Sequence, residues 1–194
     1  MGQWALGPRA DLALFRGFPR YIAYGIGASA TYSPRKRNHW TADATYHFPH
    51  LDHYIRVQGP RNLATGDTTS STWRSTLHTS HVSVLIGFQH SFNRRPKPME
   101  WYCTAASGFA FDRHRTEGEV TYKYSGVQAR FDHSDHSTYI PFLAGAGRIW
   151  HQDHADLSLE AATSTTCYSI MEKDFGLRFR DYSLFVTFRY CWRL

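Results

Sequence analysis

Apolar and polar residues alternate with a period of two along most of this 194-residue chain, and helical periodicity is nearly absent. Over 4–14, Trp4, Leu6, Ala10, Leu12 and Leu14 oppose Arg9, Asp11 and Ala13. Over 22–32, Ile22, Tyr24, Ile26, Ala28, Ala30 and Tyr32 oppose Ala23, Gly25, Gly27, Ser29 and Thr31. Trp40 to Phe48 and Val82 to Phe92 repeat the pattern, and so do 100–111, 125–131, 138–150, 157–170 and 175–180. The closing stretch YSLFVTFRYCWRL sets Tyr182, Leu184, Val186, Phe188, Tyr190, Trp192 and Leu194 on one face of an extended chain. About ten strands are predicted. Most exceed the ~5–6 residues of an ordinary globular strand and match the ~9–11 residues that a tilted strand needs to cross a bilayer. Short polar turns (PRKRN at 34–38, NRRPKP at 93–98, DHSDHS at 132–137) alternate with longer segments at 49–75 and 112–124. A single domain, 1–194, accommodates them all.

Alternation alone does not say whether the apolar face points into a barrel or out of it. A soluble lipocalin-like barrel and a membrane barrel share the pattern, turned inside out. Composition of the polar face decides. A water-facing surface is rich in Lys and Glu, whereas this face is small: Gly25, Gly27, Ser29, Gly87, Ser91, Thr104, Ala106, Gly108, Gly145 and Gly147. Scattered among these are Arg9, Asp11, Asp43, Arg130, Arg178 and Arg189, which suit a narrow lumen where charges pair across the interior. Aromatic residues lie near the ends of the apolar runs, where interfacial girdles belong. The prediction is an all-β, closed antiparallel up-and-down transmembrane barrel.

Composition adds little and excludes more. No window approaches the ~18–20 consecutive apolar residues of a transmembrane helix. No cleavable signal precedes the patterned sequence, so an exported chain is expected to have lost one. The net charge is +6, with only four Lys among 22 basic residues. These are dispersed through turns and lumen positions and form no nucleic-acid-binding stripe. Basic rim stretches such as FRGFPR and DRHR suit anionic lipopolysaccharide. Three cysteines, Cys103, Cys167 and Cys191, without CxxC or Cys/His zinc spacing, argue against a disulfide framework and a structural zinc site.

The alternating C-terminal strand with Tyr190, Trp192 and Leu194 in phase, together with GIGASATY, LIGFQHSF and YIPFLAGAGRIW, resembles small bacterial outer-membrane β-barrels of the OmpA/OmpX-like or opacity-porin type. The resemblance implies that both termini lie in the periplasm, that the strand count is even, and that the barrel-assembly machinery reads Tyr190, Trp192 and Leu194 as an insertion signal. With the short turns periplasmic, Trp150 falls at the outer rim and MEKD (171–174) forms another periplasmic turn. The hairpin 175–194 then completes ten strands. Eight is the alternative, reached if 151–172 is a loop and an early strand is lost.

Three histidine pairs have Asp nearby: His50 and His53, His133 and His136, His151 and His154. Imidazole with carboxylate could hold Zn, Ni or Cu, but polar turns at a membrane surface account for the same residues, and no metal or other cofactor is expected. Lipid A deacylases use a His, a Ser and an acidic residue, and GFQHSFN brings His90 beside Ser91, yet without that family's spacing. No GxSxG elbow, P-loop or dinucleotide fingerprint occurs. The expected role is therefore structural, ligand-binding or that of a narrow pore, without evident catalysis. A lipid-modifying enzyme and a soluble ligand-binding barrel are the alternatives.

Overall fold

The structure, a computed structural model, describes residues 2–15, 21–35, 37–58, 71–93, 98–122, 126–169 and 182–194. Eight strands form in chain order: β1 (Gln3–Phe15), β2 (Tyr21–Arg35), β3 (Asn38–Gln58), β4 (Ser71–Ser91), β5 (Met99–Tyr122), β6 (Gln128–His151), β7 (Ala155–Ser169) and β8 (Tyr182–Arg193). Sequence neighbours are sheet neighbours, and β8 returns antiparallel to β1, so the barrel is closed.

The count is eight, the alternative read from the sequence, and not the preferred ten. The expected turn DHSDHS is strand: 128–131 and 138–150 are parts of one continuous β6, and residues 125 and 175–180 lie outside the described residues. Losing that reversal inverts the direction of 138–150 and 157–170, while 182–194 keeps its own. Trp150 therefore stands at the end bearing both termini, not at the opposite rim. The Leu194 N–H donates to the Trp4 carbonyl there, the Arg193 N–H to His154, and the His151 N–H to Pro98. Within the longer connecting segments 49–75 and 112–124, residues 49–58, 71–75 and 112–122 are strand, and the remainder lies outside the described residues.

The chain divides into two compact units. The first comprises Met1–Phe48, His81–Asp112 and Ser137–Leu194, and the second Pro49–Ser80 and Arg113–His136. In the first unit the apolar phase is outside. Ile26, Ile86, Phe109, Phe142, Val186 and Phe188 are exposed, while Arg9, Asp11, Asp43, Thr45, Glu160, Thr187 and Arg189 are buried. Water would reverse this arrangement, and hydrocarbon selects it.

An aromatic ring marks one border of the apolar surface. Trp4 pairs with Tyr32, Tyr32 with Trp40, and Trp192 lies opposite both Leu6 and Ala155. The Trp101 carbonyl accepts a hydrogen bond from the Phe92 N–H at 3.0 Å. With Trp150, five of the six tryptophans sit at the end that carries the termini. Tyr46, Phe48, Phe109 and Phe111 form the other border. From Trp40 to Phe48, or from Trp101 to Phe111, a tilted strand rises ~20–25 Å, the height of a transmembrane barrel's apolar band.

Two prolines leave local marks. The ladder between β6 and β7 slips beside Pro141, where Ile140 faces Tyr168 but Pro141 faces Thr166. A residue without N–H cannot hold the regular ladder, and a bulge absorbs the mismatch. Pro8 lies at the β1–β8 seam, between the register pairs Leu6 with Trp192 and Arg9 with Arg189.

Arg substituted at Val186, half-exposed near the middle of the apolar band, should cost ~2–4 kcal/mol. Equilibrium unfolding in lipid vesicles measures this, and a neutral Val186→Arg would mean that the outward face meets water. Deleting Tyr190–Leu194 should abolish the heat-modifiable, SDS-resistant species, because it exposes the facing edges of β1 and β7 at once. A truncated chain that still gave that species would place barrel closure elsewhere.

Candidate functional site in the barrel interior

The inward phase of the first unit carries the concentrated polar chemistry. Arg189 on β8 lies between two carboxylates. Its Nη1 donates to Glu160 Oε2 on β7 at 2.9 Å, and its Nη2 to Asp43 Oδ2 on β3 at 3.0 Å. Arg9 on β1 takes the other side of Asp43, with Nη1 2.5 Å from the same oxygen. Its Nε donates to both oxygens of Asp11, at 2.9 and 3.0 Å. Charges thus alternate in sign along Glu160, Arg189, Asp43, Arg9 and Asp11. Such order is what low dielectric demands, since an isolated buried charge costs several kcal/mol and a partnered one recovers most of that.

Neutral groups complete the network. The Tyr102 hydroxyl on β5 and the Gln89 amide on β4 donate to Glu160 at 3.0 and 3.4 Å. Arg9 Nη2 donates to Thr187 Oγ1 at 3.3 Å. On the other side of Asp11, His47 Nε2 is 3.8 Å from Asp11 Oδ2, and its ring is 5.0 Å from that of His81. His81 Nδ1 lies 2.6 Å from Asp112 and 3.3 Å from the Tyr139 hydroxyl.

Small residues make the room. A Cβ on Gly147 would fall 2.6 Å from the Tyr102 ring, and one on Gly25 2.7 Å from His47. The lumen is a packed core of large polar side chains set against glycines, as an eight-stranded barrel's width requires.

Of the residues expected in the lumen, Arg9, Asp11, Asp43 and Arg189 are brought together. Arg178 lies outside the described residues. Arg130 is corrected: it is exposed and belongs to the second unit, because β6 runs unbroken from Gln128. Glu160, Tyr102, Gln89, His47 and His81 were not singled out from the sequence. Each nevertheless lies on the polar phase of its strand, which is the signal that could have found them.

Tyr190 and Trp192 meet edge to face on the outer side, with ring centres 5.2 Å apart, and Leu194 is exposed. His133 and His136 are exposed on β6 at an odd spacing, which sends their side chains to opposite faces. His151 contacts Asp156 at 2.8 Å and Glu100 at 3.9 Å, while His154 lies exposed in the turn before β7. The side chains of His50 and His53 lie outside the described residues. Among the described residues no group of three or more His, Cys, Asp or Glu is arranged to hold a metal ion. His90 Nδ1 lies 2.8 Å from Asn38 Oδ1, whereas Ser91 is buried on the opposite face, so the two do not form a nucleophile–base pair.

The second unit is held by cross-strand pairs of its own. Arg115 forks onto Asp132 at 3.1 and 2.7 Å, His78 meets Glu117 at 3.0 Å, and Trp73 lies 5.8 Å from Phe131. The Arg115 hydrogen bonds hold the Asp132 carboxyl below its ordinary pKa. Whatever that pair contributes is present above the ordinary value and fades as pH falls through the depressed one.

No family model matches the chain, and no curated protein does. Solved structures do. Ail, the attachment invasion locus protein of Yersinia pestis, superposes with a TM-score of 0.58 at 9% identity, over 100% of this chain and 99% of Ail. Neisserial surface protein A gives 0.51 at 12% identity, over 98% and 97%. At such identities the likeness shows the fold alone: this is the closed eight-stranded barrel found in small bacterial outer-membrane proteins.

Arg189→Met leaves Glu160 without a cation and Asp43 with Arg9 alone, and should lower the unfolding free energy by ~3–5 kcal/mol. Adding Glu160→Gln should recover part of that loss. A single-variant loss of under ~1 kcal/mol in vesicle unfolding would mean that the interior is wet and the network screened.

Proposed function

We propose that the chain is an integral outer-membrane protein with a closed lumen, acting as a structural or ligand-binding element of the membrane surface. The observation that carries this reading is the ion-paired interior beneath an apolar exterior. A lumen filled by Tyr102, Arg9, Arg189 and His47 offers no continuous water path, which argues against the narrow-pore reading. The inside-out facing argues against a soluble lipocalin-like barrel, and the separation of His90 from Ser91 removes that pair from any deacylase-like chemistry.

The partners proposed are the bilayer, lipopolysaccharide and, through Tyr190, Trp192 and Leu194, the barrel-assembly machinery. Exposed Arg74, Arg113 and Arg130 of the second unit supply the basic groups that an anionic saccharide surface would meet. A structural neighbour named for attachment and invasion fits a role in surface binding.

Purified protein in planar bilayers should give no stepwise conductance, while cell fractionation should place it in the outer membrane. Discrete ion-conducting steps from the wild-type chain would replace the closed-lumen reading with a pore.

A further inference from the structure

Among the described residues of the outward face, between the two aromatic borders, Arg148 is the one that carries a permanent charge. It sits on β6 opposite Leu159 of β7, two residues from Trp150. Its guanidinium carbon lies 5.2 Å from the centre of the Trp101 ring and 5.5 Å from that of Trp150. The two indoles hold the cation at the aromatic border. No carboxylate among the described residues pairs with it, and its buried Nε has no hydrogen-bond partner there. At the aromatic border an outward cation lies within reach of anionic lipid headgroups, and the flanking outward residues, Ala146, Leu157 and Leu159, supply no anion of their own.

We propose that Arg148, flanked by Trp101 and Trp150, is a binding site for the phosphate of a phospholipid headgroup, in the leaflet that bathes the end carrying both termini. The guanidinium fork suits a phosphate diester's two free oxygens. The indoles, with Leu157 and Leu159, give the start of the acyl chains an apolar seat. A side chain that merely carried its charge to water would not need to stack on two rings at the border.

The site rests on the bilayer placement proposed above, and heat-modifiable migration after vesicle insertion tests that placement separately. The direct test is native mass spectrometry of the folded protein from octyl glucoside, titrated with a short-chain phosphatidylglycerol. The first lipid should bind about tenfold more weakly to Arg148→Gln than to wild type, and a diacylglycerol of the same chains should bind wild type no better than the phospholipid binds the variant. Arg148→Lys keeps the charge without the planar stack and should weaken binding by an intermediate factor. It carries the test if the Gln variant does not fold. Inorganic phosphate at millimolar concentration should leave the lipid bound. Equal binding by wild type and variants would overturn the site, and so would displacement by inorganic phosphate, which would mark an adventitious anion contact.

Discussion

Two arginines face each other across the seam that closes this barrel. Arg9 on β1 and Arg189 on β8 are register partners, and like charges directly opposite destabilise a strand pair. Asp43, reaching in from β3, lies between them and pairs with both. Asp11 and Glu160 take the outer sides of the two guanidiniums. The seam is therefore closed by backbone pairing and made tolerable by carboxylates. Closure is obligatory, because a barrel in hydrocarbon has no water to satisfy an open strand edge.

The rest of the molecule is shaped by having two solvents and one thin wall. Each strand of the first unit gives alternate residues to a packed interior and to the apolar outer surface, so one strand must encode both. Outside, branched and aromatic side chains cover the wall, with the indoles gathered at one border. Inside, a few large polar groups need neighbours without side chains, and Gly147 beneath Tyr102 and Gly25 beside His47 meet that need. An interior so filled is rigid in cross-section.

Alternation made the strands, their facing and the closing role of β8 legible in the sequence, because a residue's phase in a strand is a local property and the two faces differ sharply in composition. Phase also placed Arg9, Asp11, Asp43 and Arg189 on the inner side. The strand count was not legible. DHSDHS has the polarity of a turn, but a strand in contact with water can be equally polar, and only the hydrophobic contrast of the lipid-facing segments distinguishes strand from turn. Once that contrast is absent, the boundary between β5 and β6 is invisible to pattern. Arg130 was misplaced for the same reason.

What the sequence determined by itself is the face each residue takes in the strongly alternating segments, since that depends on nearest neighbours along the chain. What only the tertiary structure decided is which inward charges meet. Asp43 lies 146 residues from Arg189, and Glu160 lies 58 from Tyr102. Those distances collapse only when eight strands close with one particular stagger, a geometry set by the whole ring and by no single strand.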